Sequence, residues 1–408
     1  MTQMSATAAE MAHGTDATDS RAETTARPMD RPYFLYVWAM MITGIIFVFS
    51  ASFPTASRPD AMLLPGDPYR YLIQHTQFVA LGVVAMLLVS LVPPRYLRKA
   101  APWAFGGGAF LMVLALVSPW GVTLGGARRW LDFPGLPTFQ PSELTKVAFI
   151  LLLAHFLAKK DEARAKSDGA ECKDEADPAF IAYAWTCVIA GASAMLLLLQ
   201  RDQGMATVYM AVVFALLLFS GVRLWILGTL AAGGLGLGLF IASLEPYRWI
   251  RIMAFLDPEN APADAGYHIL NMLIAQARGG VTGMGLGMSP DKWRWLPAPH
   301  TDSIFSVVSA ETGLIGAIVI MIGVGLLAWR GLRIARASGS SFGFYAAAGV
   351  SALLCIQGLM HIAVNTSCMP VTGLTLPFIS GGGTSLLSAS ICAGVVLAVS
   401  RGRERAEI

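Results

Sequence analysis

Charged residues are scarce in this chain. Asp, Glu, Lys and Arg together make up 13% of its 408 residues, whereas hydrophobic residues make up 55%. Soluble domains carry about 25% charged residues, so the composition excludes an ordinary soluble globular domain. The net charge is only +3, and the basic residues are divided between the two ends of the apolar runs. This distribution gives no basic face for nucleic acid, so nucleic acid is not an expected partner.

Cysteine is also sparse, and common nucleotide-binding and zinc-binding motifs are absent from the sequence. The five cysteines show no metal-binding spacing, and only Cys368 falls in a segment predicted to lie outside the cytoplasm. No disulfide framework is therefore predicted. The sequence has neither the GxxxxGK[ST] loop, nor the GxGxxG dinucleotide-binding motif, nor the zinc-binding HExxH motif. ATPase, redox and metalloprotease functions therefore lack support.

Long apolar runs dominate what is present. A helix needs about 20 apolar residues to cross a bilayer, and the sequence contains about ten such runs. Backbone groups in lipid must be hydrogen-bonded within the chain, and no segment shows a strand pattern of consequence. The runs therefore predict an all-α polytopic membrane protein of about ten transmembrane helices. The predicted spans are residues 33–53, 74–92, 103–119, 142–158, 179–199, 205–222, 224–244, 303–329, 342–362 and 380–400.

Lysine and arginine are distributed unevenly over the connections between these spans. If the N-terminus is cytoplasmic, most of the 29 Lys and Arg residues fall in cytoplasmic segments, as the positive-inside rule requires. Both termini are then cytoplasmic, because the number of spans is even. Residues 1–30 have no apolar core and predict a disordered cytoplasmic tail. Residues 31–408 are predicted to form one transmembrane domain, with a solvated loop from Lys159 to Pro178 on the cytoplasmic side.

The longest connection is residues 245–302, an extracytoplasmic loop between the seventh and eighth predicted helices. Within it, Tyr267–Arg278 has the apolar spacing of a short helix that lies at the interface or folds back into the bundle. The loop ends at Asp302, where the next span begins. A carboxylate at this depth is either a cap of the following helix or a functional group. The basic residues of the loop, which oppose the positive-inside rule, are Arg248, Arg251, Arg278, Lys292 and Arg294.

Further polar groups fall in the other extracytoplasmic connections. Arg128, Arg129 and Lys146 have the charge to hold a dianion such as a pyrophosphate. Glu143 lies three residues before Lys146, so an interfacial anchor with a local Glu–Lys pair is the alternative. Two more clusters, Gln200–Gly204 and the glycine-rich Thr372–Thr384, either contribute to a site or only shape turns.

Taken in order, these motifs resemble those of the SEDS family, which contains the FtsW and RodA peptidoglycan glycosyltransferases. The resemblance runs from about Asp30 to the end of the chain. The segments Phe49–Ser52, Arg251–Pro258 and Thr372–Pro377 are more similar to FtsW members than to RodA members. The motifs that carry the resemblance are Arg129-Trp130, Gln140-Pro-Ser-Glu-Leu-Thr-Lys146, Phe255-Leu-Asp-Pro258, Gly285-Leu-Gly287, His300-Thr-Asp302, Glu311 with Gly313, and Leu376-Pro-Phe-Ile-Ser380.

The resemblance implies that the protein polymerises lipid II into glycan strands at the outer face of the bacterial inner membrane. It implies that Asp302 is the catalytic general base, and it leaves a divalent cation, Mg or Mn, open as a cofactor. The expected partners are a class B penicillin-binding protein and other divisome or elongasome membrane proteins. The residues expected to bind substrate are Arg129, Glu143, Lys146, Arg248, Arg251, Lys292, His300 and Ser380.

This sequence departs from the family pattern at three positions. Arg201 stands where a proline is common, Ser303 where phenylalanine is common, and Gly381 where tyrosine is common. Since Ser303 and Gly381 adjoin the expected site, we expect an altered substrate fit.

Three alternatives to a division polymerase are an elongation polymerase of the RodA type, a flippase for the lipid-linked precursor, and a non-catalytic scaffold. A flippase needs ionisable groups along the whole crossing and is typically built from inverted repeats. Here the charged candidates lie on one face and no repeat is found, which favours the polymerase.

Overall fold

A computed structural model describes most of the chain. The first 27 residues, which belong to the predicted tail, lie outside the described residues. The described residues are 28–57, 67–135, 137–167, 178–244, 246–260 and 263–402.

Helices account for most of the described residues, and one β-hairpin interrupts them. The hairpin lies between α3 and α4 and consists of β1 (Gly121–Leu124) and β2 (Ala127–Leu131). The helices are α1 (Arg31–Ala56), α2 (Arg70–Ser90), α3 (Pro94–Val117), α4 (Pro141–Ser167), α5 (Pro178–Leu199), α6 (Gln203–Phe219), α7 (Leu224–Ser243), α8 (Pro246–Leu256), α9 (Ala263–Gly279), α10 (Asp291–Arg294), α11 (Ile304–Arg336), α12 (Ser341–Asn365) and α13 (Gly383–Arg401).

The predicted class, an all-α polytopic membrane protein, is confirmed. Within the described residues, eight helices are long and apolar enough to cross a membrane, namely α1 to α5 and α11 to α13. Two shorter apolar helices, α6 and α7, lie between these two groups. The count of about ten spans and the cytoplasmic placement of both termini stay predictions, because length and composition fix neither.

Helices α4, α12 and α13 form the centre of the bundle, where most of their side chains are buried. Buried apolar residues of these helices include Phe149, Leu353 and Val396. By contrast, α2 and α3 lie at the periphery and leave large apolar side chains exposed, such as Leu88 and Trp103. An apolar exterior is what the lipid environment requires of membrane helices.

Helix α11 is interrupted at Gly313, whose φ of 70° and ψ of −167° are not helical. The loop of residues 280–285, which follows α9, packs against this break. The amide N of Leu314 donates to the carbonyl O of Gly280 at 2.9 Å, and the amide N of Gly285 donates to the carbonyl O of Glu311 at 3.0 Å. These bonds replace helical hydrogen bonds that the break removes. They join the long connection between α7 and α11 to the helix that follows Asp302.

Two predictions about the connections are wrong. The β1–β2 hairpin was not predicted, because strands of four and five residues are too short to show a clear alternation. The solvated loop predicted from Lys159 is instead helical as far as Ser167. Lys160 explains part of this extension, since its side chain is buried and its Nζ donates to the carbonyl O of Ser220 at 3.0 Å.

Two further features concern the ends of predicted segments. Helix α9 confirms the helix predicted for Tyr267–Arg278, with slightly wider bounds, while its position at the membrane interface stays a prediction. Asp30, the last residue of the predicted tail, is fixed to the bundle. Its carboxylate accepts from the amide N of Tyr33 at 2.9 Å and pairs with Arg330 at 2.8 Å.

Candidate active site

Asp302 lies at the end of the long connection, two residues before α11 begins. Its carbonyl O accepts a hydrogen bond from Asn365 Nδ2 of α12 at 2.9 Å. Burial raises the pKa of its carboxyl, while the guanidinium groups of Arg129 and Arg251 act in the opposite direction. The net shift of the pKa is upward. A carboxylate with a raised pKa is a stronger base, which suits a group that accepts a proton.

Arg129 belongs to β2, and its charge acts on the Asp302 carboxyl. Its Nη1 pairs with Asp202 Oδ1 at 2.9 Å, and its buried Nε has no hydrogen-bond partner. Asp202 is also held by Gln140 Nε2 at 2.7 Å. Burial raises the pKa of Asp202, and Arg129 lowers it. Arg129 thus lies between two carboxylates and retains a donor that an anion could satisfy.

Arg251 and Arg248 both lie on α8, one turn apart. Arg251 Nη1 donates to the carbonyl O of Val371 at 3.1 Å, and its charge acts on Asp302. The side chain of Arg248 lies outside the described residues, so its predicted role stays a prediction. The structure therefore brings together three of the predicted residues: Asp302, Arg129 and Arg251.

Glu143 and Lys146 form a pair inside the bundle, on the first turns of α4. Lys146 Nζ donates to the Glu143 carboxylate and, at 2.9 Å, to Gln357 Oε1 of α12. The Lys146 side chain is 1% exposed. A diphosphate reaches this ammonium group only if the surrounding helices separate, so its role in binding substrate stays a prediction.

Lys292 is placed differently from what its position in the loop implies. Its Nζ donates to Glu311 Oε1 at 2.7 Å and to Ser50 Oγ at 2.8 Å, and its side chain is 3% exposed. The Glu311 carboxylate pairs with the charge of Lys292. Lys292 is not among the groups that shift the pKa of Asp302. The geometry therefore gives no support to Lys292 as a ligand of a diphosphate. It makes Lys292 a link between α1, α10 and α11.

His300 and Ser380 hold the backbone that carries Asp302. Ser380 Oγ donates to the carbonyl O of Thr301 at 3.0 Å, and the amide N of Gly381 donates to the carbonyl O of His300 at 2.7 Å. The His300 ring lies 4.8 Å from the Tyr71 ring, and its Nδ1 has no partner. Burial lowers the pKa of His300. The Ser380 hydroxyl is already hydrogen-bonded within the turn. Ser380 therefore supports the backbone of the site rather than binding a ligand.

Near the site, Asn365 and Gln357 carried no predicted role, although the sequence offered a signal for them, and Asp202 was predicted only as a member of the Gln200–Gly204 cluster. Asn365 binds Asp302 and also accepts from Ser306 Oγ at 2.9 Å. Gln357 binds Lys146, and Asp202 binds Arg129. Asn365 and Gln357 interrupt an apolar run, and a buried polar residue within a span is a functional candidate by default. Their partners lie in other helices, so the pairing itself was not readable from the sequence.

The backbone geometry at positions 201 and 381 matches the departures from the family pattern at these two positions. Arg201 has a φ of 57°, which proline cannot adopt because its ring fixes φ near −65°. At position 381, a Cβ atom would come within 2.9 Å of the carbonyl O of His300. Glycine therefore allows the turn to approach the His300 backbone closely, while Tyr71 of α2 supplies an aromatic ring beside the His300 imidazole.

The chain offers no side-chain ligand set for a divalent cation in the part of it that the structure describes. No group of three or more His, Cys, Asp or Glu side chains there converges on one point. The residues present do not fit a protein-held Mg or Mn ion, and we derive no reaction step through one.

The fold and the site together define a polytopic membrane protein with a carboxylate just before α11 and two guanidinium groups, on β2 and α8, whose charges act on it. This combination suits proton transfer beside an anionic group at the membrane boundary. The chain belongs to the FtsW/RodA/SpoVE family, since the family model described as "Cell cycle protein" matches residues 31–405.

Relatives in that family resemble the chain over nearly its whole length. A probable peptidoglycan glycosyltransferase FtsW of Thioalkalivibrio sulfidiphilus is 35% identical over 383 residues, which cover 92% of this chain and 90% of the relative. The protein of the same name from Coxiella burnetii is 36% identical over 368 residues, covering 89% of this chain and 93% of the relative.

Two solved structures share the fold. One, described as "Structural coordination of polymerization and crosslinking by a peptidoglycan synthase complex", matches with a TM-score of 0.70 and 27% identity. The match covers 91% of this chain and 98% of that chain. The rod shape determining protein RodA of Thermus thermophilus matches with a TM-score of 0.64 and 26% identity, covering 92% and 98% of the two chains.

Proposed function

We propose that this protein is a peptidoglycan glycosyltransferase of the FtsW type, which polymerises lipid II during cell division. The observation that carries the proposal is the buried Asp302 carboxyl, whose pKa is raised by burial and lowered by the charges of Arg129 and Arg251, with a net upward shift. Membership of the family and the names of the relatives support the same activity.

The proposed reaction inverts the anomeric carbon of a lipid-diphosphate donor. Asp302 accepts the proton of the acceptor's 4-hydroxyl group while the hydroxyl oxygen forms a bond to the anomeric carbon. The bond between that carbon and the diphosphate oxygen breaks, and the electron pair leaves with the diphosphate. General-base catalysis of this kind contributes typically about 10²- to 10⁴-fold to the rate.

Arg129 and Arg251 are proposed to stabilise the leaving diphosphate. Negative charge on the departing oxygens increases in the transition state, so fixed cations in a water-poor pocket stabilise that state more than the ground state. The unpartnered Nε of Arg129 supports this role. For Glu143, Lys146 and Arg248 we keep the expected role in substrate binding. Lys292, His300 and Ser380 are better explained as residues that hold the site together.

We further propose that the protein lies in the bacterial inner membrane with both termini in the cytoplasm and the Asp302 pocket outside. A class B penicillin-binding protein is the proposed partner, and lipid II is the proposed substrate. Similarity to a chain of a peptidoglycan synthase complex supports a crosslinking partner.

A role in elongation remains the second candidate, because the RodA structure shares the fold. The FtsW relatives favour division. Depletion of the protein in its host distinguishes the two roles: cells that fail to divide grow into filaments, whereas cells that fail to elongate become round.

The test of the chemistry is polymerisation of lipid II by the purified full chain, with and without the cognate penicillin-binding protein. We expect Asp302→Asn and Asp302→Ala to reduce polymerisation at least about 10²-fold, since they remove the general base. The matched control is Glu259→Gln, which neutralises an exposed carboxylate in the connection between α8 and α9. Glycan strands formed at the wild-type rate by a folded Asp302→Ala protein would overturn the assignment.

A further inference from the structure

Ser303 directly follows Asp302, and its side chain is turned away from the helix that it precedes. It is the N-cap residue of α11, yet its hydroxyl makes no capping bond to that helix. A serine at this position normally stabilises a helix by about 1 kcal/mol through such a bond. Here the residue is 0% exposed, so the hydroxyl is committed to other partners inside the protein.

Those partners form a directed chain of hydrogen bonds. Ser303 Oγ donates to the carbonyl O of Pro297 at 2.8 Å, and His268 Nε2 lies 3.0 Å from the same Oγ. A hydroxyl has a single hydrogen, so once it is donated to Pro297, the bond to His268 must be donated by Nε2–H. Burial lowers the pKa of His268 to about 4. The imidazole is therefore neutral at neutral pH, with its proton on Nε2.

This chain connects two parts of the long connection that each reach the active site. His268 lies on α9, whereas Pro297 and Ser303 lie on either side of the His300-Thr-Asp302 motif. Arg251 acts electrostatically on both His268 and Asp302. The Asp302 carbonyl O also accepts a hydrogen bond from Asn365 of α12. The backbone of Asp302 is thus held between α9 and α12.

We propose that His268 and Ser303 are positioning residues for Asp302. The chain from His268 Nε2–H through Ser303 Oγ–H to the Pro297 carbonyl holds the Asp302 backbone against α9 and sets the distance between the Asp302 carboxyl and the Arg251 guanidinium. The inference rests on the proposed function, because it assumes that Asp302 accepts the proton in the reaction. It also accounts for a serine at a position where the family pattern has phenylalanine.

The test compares four single variants of the full chain and the double variant of Ser303→Ala with His268→Leu in lipid II polymerisation, together with Asp302→Asn. Ser303→Ala and His268→Leu remove the chain of hydrogen bonds. His268→Gln keeps an N–H donor near the position of Nε2, and Ser303→Thr keeps the hydroxyl. For each variant, kcat, KM, the pH profile of kcat/KM and the thermal unfolding temperature are measured.

We expect Ser303→Ala and His268→Leu each to lower kcat about tenfold with little change in KM, because small displacements of a reacting group are costly. The acid limb of the pH profile should move in both variants, since the carboxyl then has a different distance to Arg251. His268→Gln and Ser303→Thr should recover most of kcat. The double variant should lose no more than either single variant, because both interrupt the same chain.

Wild-type kcat and pH profiles for Ser303→Ala and His268→Leu, beside an inactive Asp302→Asn, would overturn the positioning role and leave the proposed function intact. If kcat falls in parallel with the unfolding temperature in all four variants, including His268→Gln, the pair is only a structural contact. That result would also overturn the positioning role. Activity in Asp302→Asn would instead overturn the proposed function on which the inference rests.

Discussion

The Asp302 carboxyl is subject to two opposing influences, which makes its pKa adjustable by single residues. Burial raises the pKa, and Arg129 and Arg251 lower it. Since the reaction requires the unprotonated carboxylate, activity is lost as the pH falls through the pKa. An upward shift of the pKa moves that loss to higher pH.

Arg251→Gln should therefore raise the pKa of Asp302 further and move the acid limb of the kcat/KM profile to higher pH. The physical reason is the loss of a cation that stabilises the charged form. The measurement is lipid II polymerisation as a function of pH. Arg294→Gln, which removes an exposed cation from the same connection, serves as the control and should leave the limb in place. An unchanged limb in Arg251→Gln contradicts the assignment of this limb to Asp302.

Arg201 offers a test of backbone conformation beside Asp202. Its amide N donates to the carbonyl O of Leu198 at 3.1 Å, and its φ is 57°. Arg201→Pro should lower the free energy of unfolding by about 3 kcal/mol or more, because proline has neither that φ nor the N–H. Arg201→Gly should be neutral or stabilising, since glycine adopts this conformation without strain.

Thermal unfolding in detergent measures both variants, with Arg201→Ala as the control for loss of the side chain. Equal unfolding temperatures for Arg201→Pro and Arg201→Ala would show that the turn does not require the left-handed conformation.

The roles of single residues near the site could be predicted from the sequence when one short motif indicated them. The sequence singled out Asp302, Arg129 and Arg251, and in the structure the charges of both arginines act on the Asp302 carboxyl. It also singled out Lys292 as a residue that binds substrate, whereas Lys292 is buried against Glu311. That pairing depends on the packing of α10 against α1 and α11, which no local pattern encodes.

At the scale of elements, the apolar runs predicted the positions of the long helices well and their ends less well. The run 142–158, for example, corresponds to a helix that extends from Pro141 to Ser167. The break in α11 was not predicted, since Gly313 lies within the predicted span 303–329. Glycine inside a helical pattern is tolerated, so the break becomes visible only when the 280–285 loop is seen packed against it.

Gly313→Ala tests whether that break is required. A Cβ atom at this position would lie 2.3 Å from the carbonyl O of Val281, in a backbone conformation with φ of 70°. We expect a loss of about 1–3 kcal/mol in the free energy of unfolding. Gly323→Ala is the control on the same helix, where a Cβ meets nothing within 4 Å. That variant should be neutral or stabilised by up to about 1 kcal/mol.

Unfolding temperatures of the two variants in the same detergent give the comparison. If Gly313→Ala unfolds at the same temperature as Gly323→Ala, the contact between the 280–285 loop and α11 does not depend on glycine.

At the scale of the whole molecule, buried ionic contacts connect segments that are distant in sequence. Lys292 of α10, Glu311 of α11 and Ser50 of α1 form one such cluster. The contact lies among otherwise apolar side chains, where an unpaired charge is costly. It fixes the end of the long connection, just before the His300-Thr-Asp302 motif, to the first helix of the bundle.

Lys292→Met and Glu311→Gln should each destabilise the protein by about 3–5 kcal/mol, since each leaves the partner without its counterpart. The double variant should recover part of this loss. Thermal unfolding of the three variants measures the coupling. If Lys292 instead bound the diphosphate, Lys292→Met alone would raise KM, Glu311→Gln would not, and the double variant would show no recovery.

The break in α11 also bears on the height of Asp302 relative to the hydrocarbon core of the membrane. The segment Leu314–Arg336 is about 34 Å long at 1.5 Å per residue, which by itself spans a hydrocarbon core of about 30 Å. The segment before the break, Ile304–Thr312, adds about 13 Å. In the proposed orientation, Asp302 would lie above the acyl chains, at the level of the head groups. A substrate anchored in the outer leaflet by its lipid tail would then present its first sugar to this carboxyl without leaving the membrane.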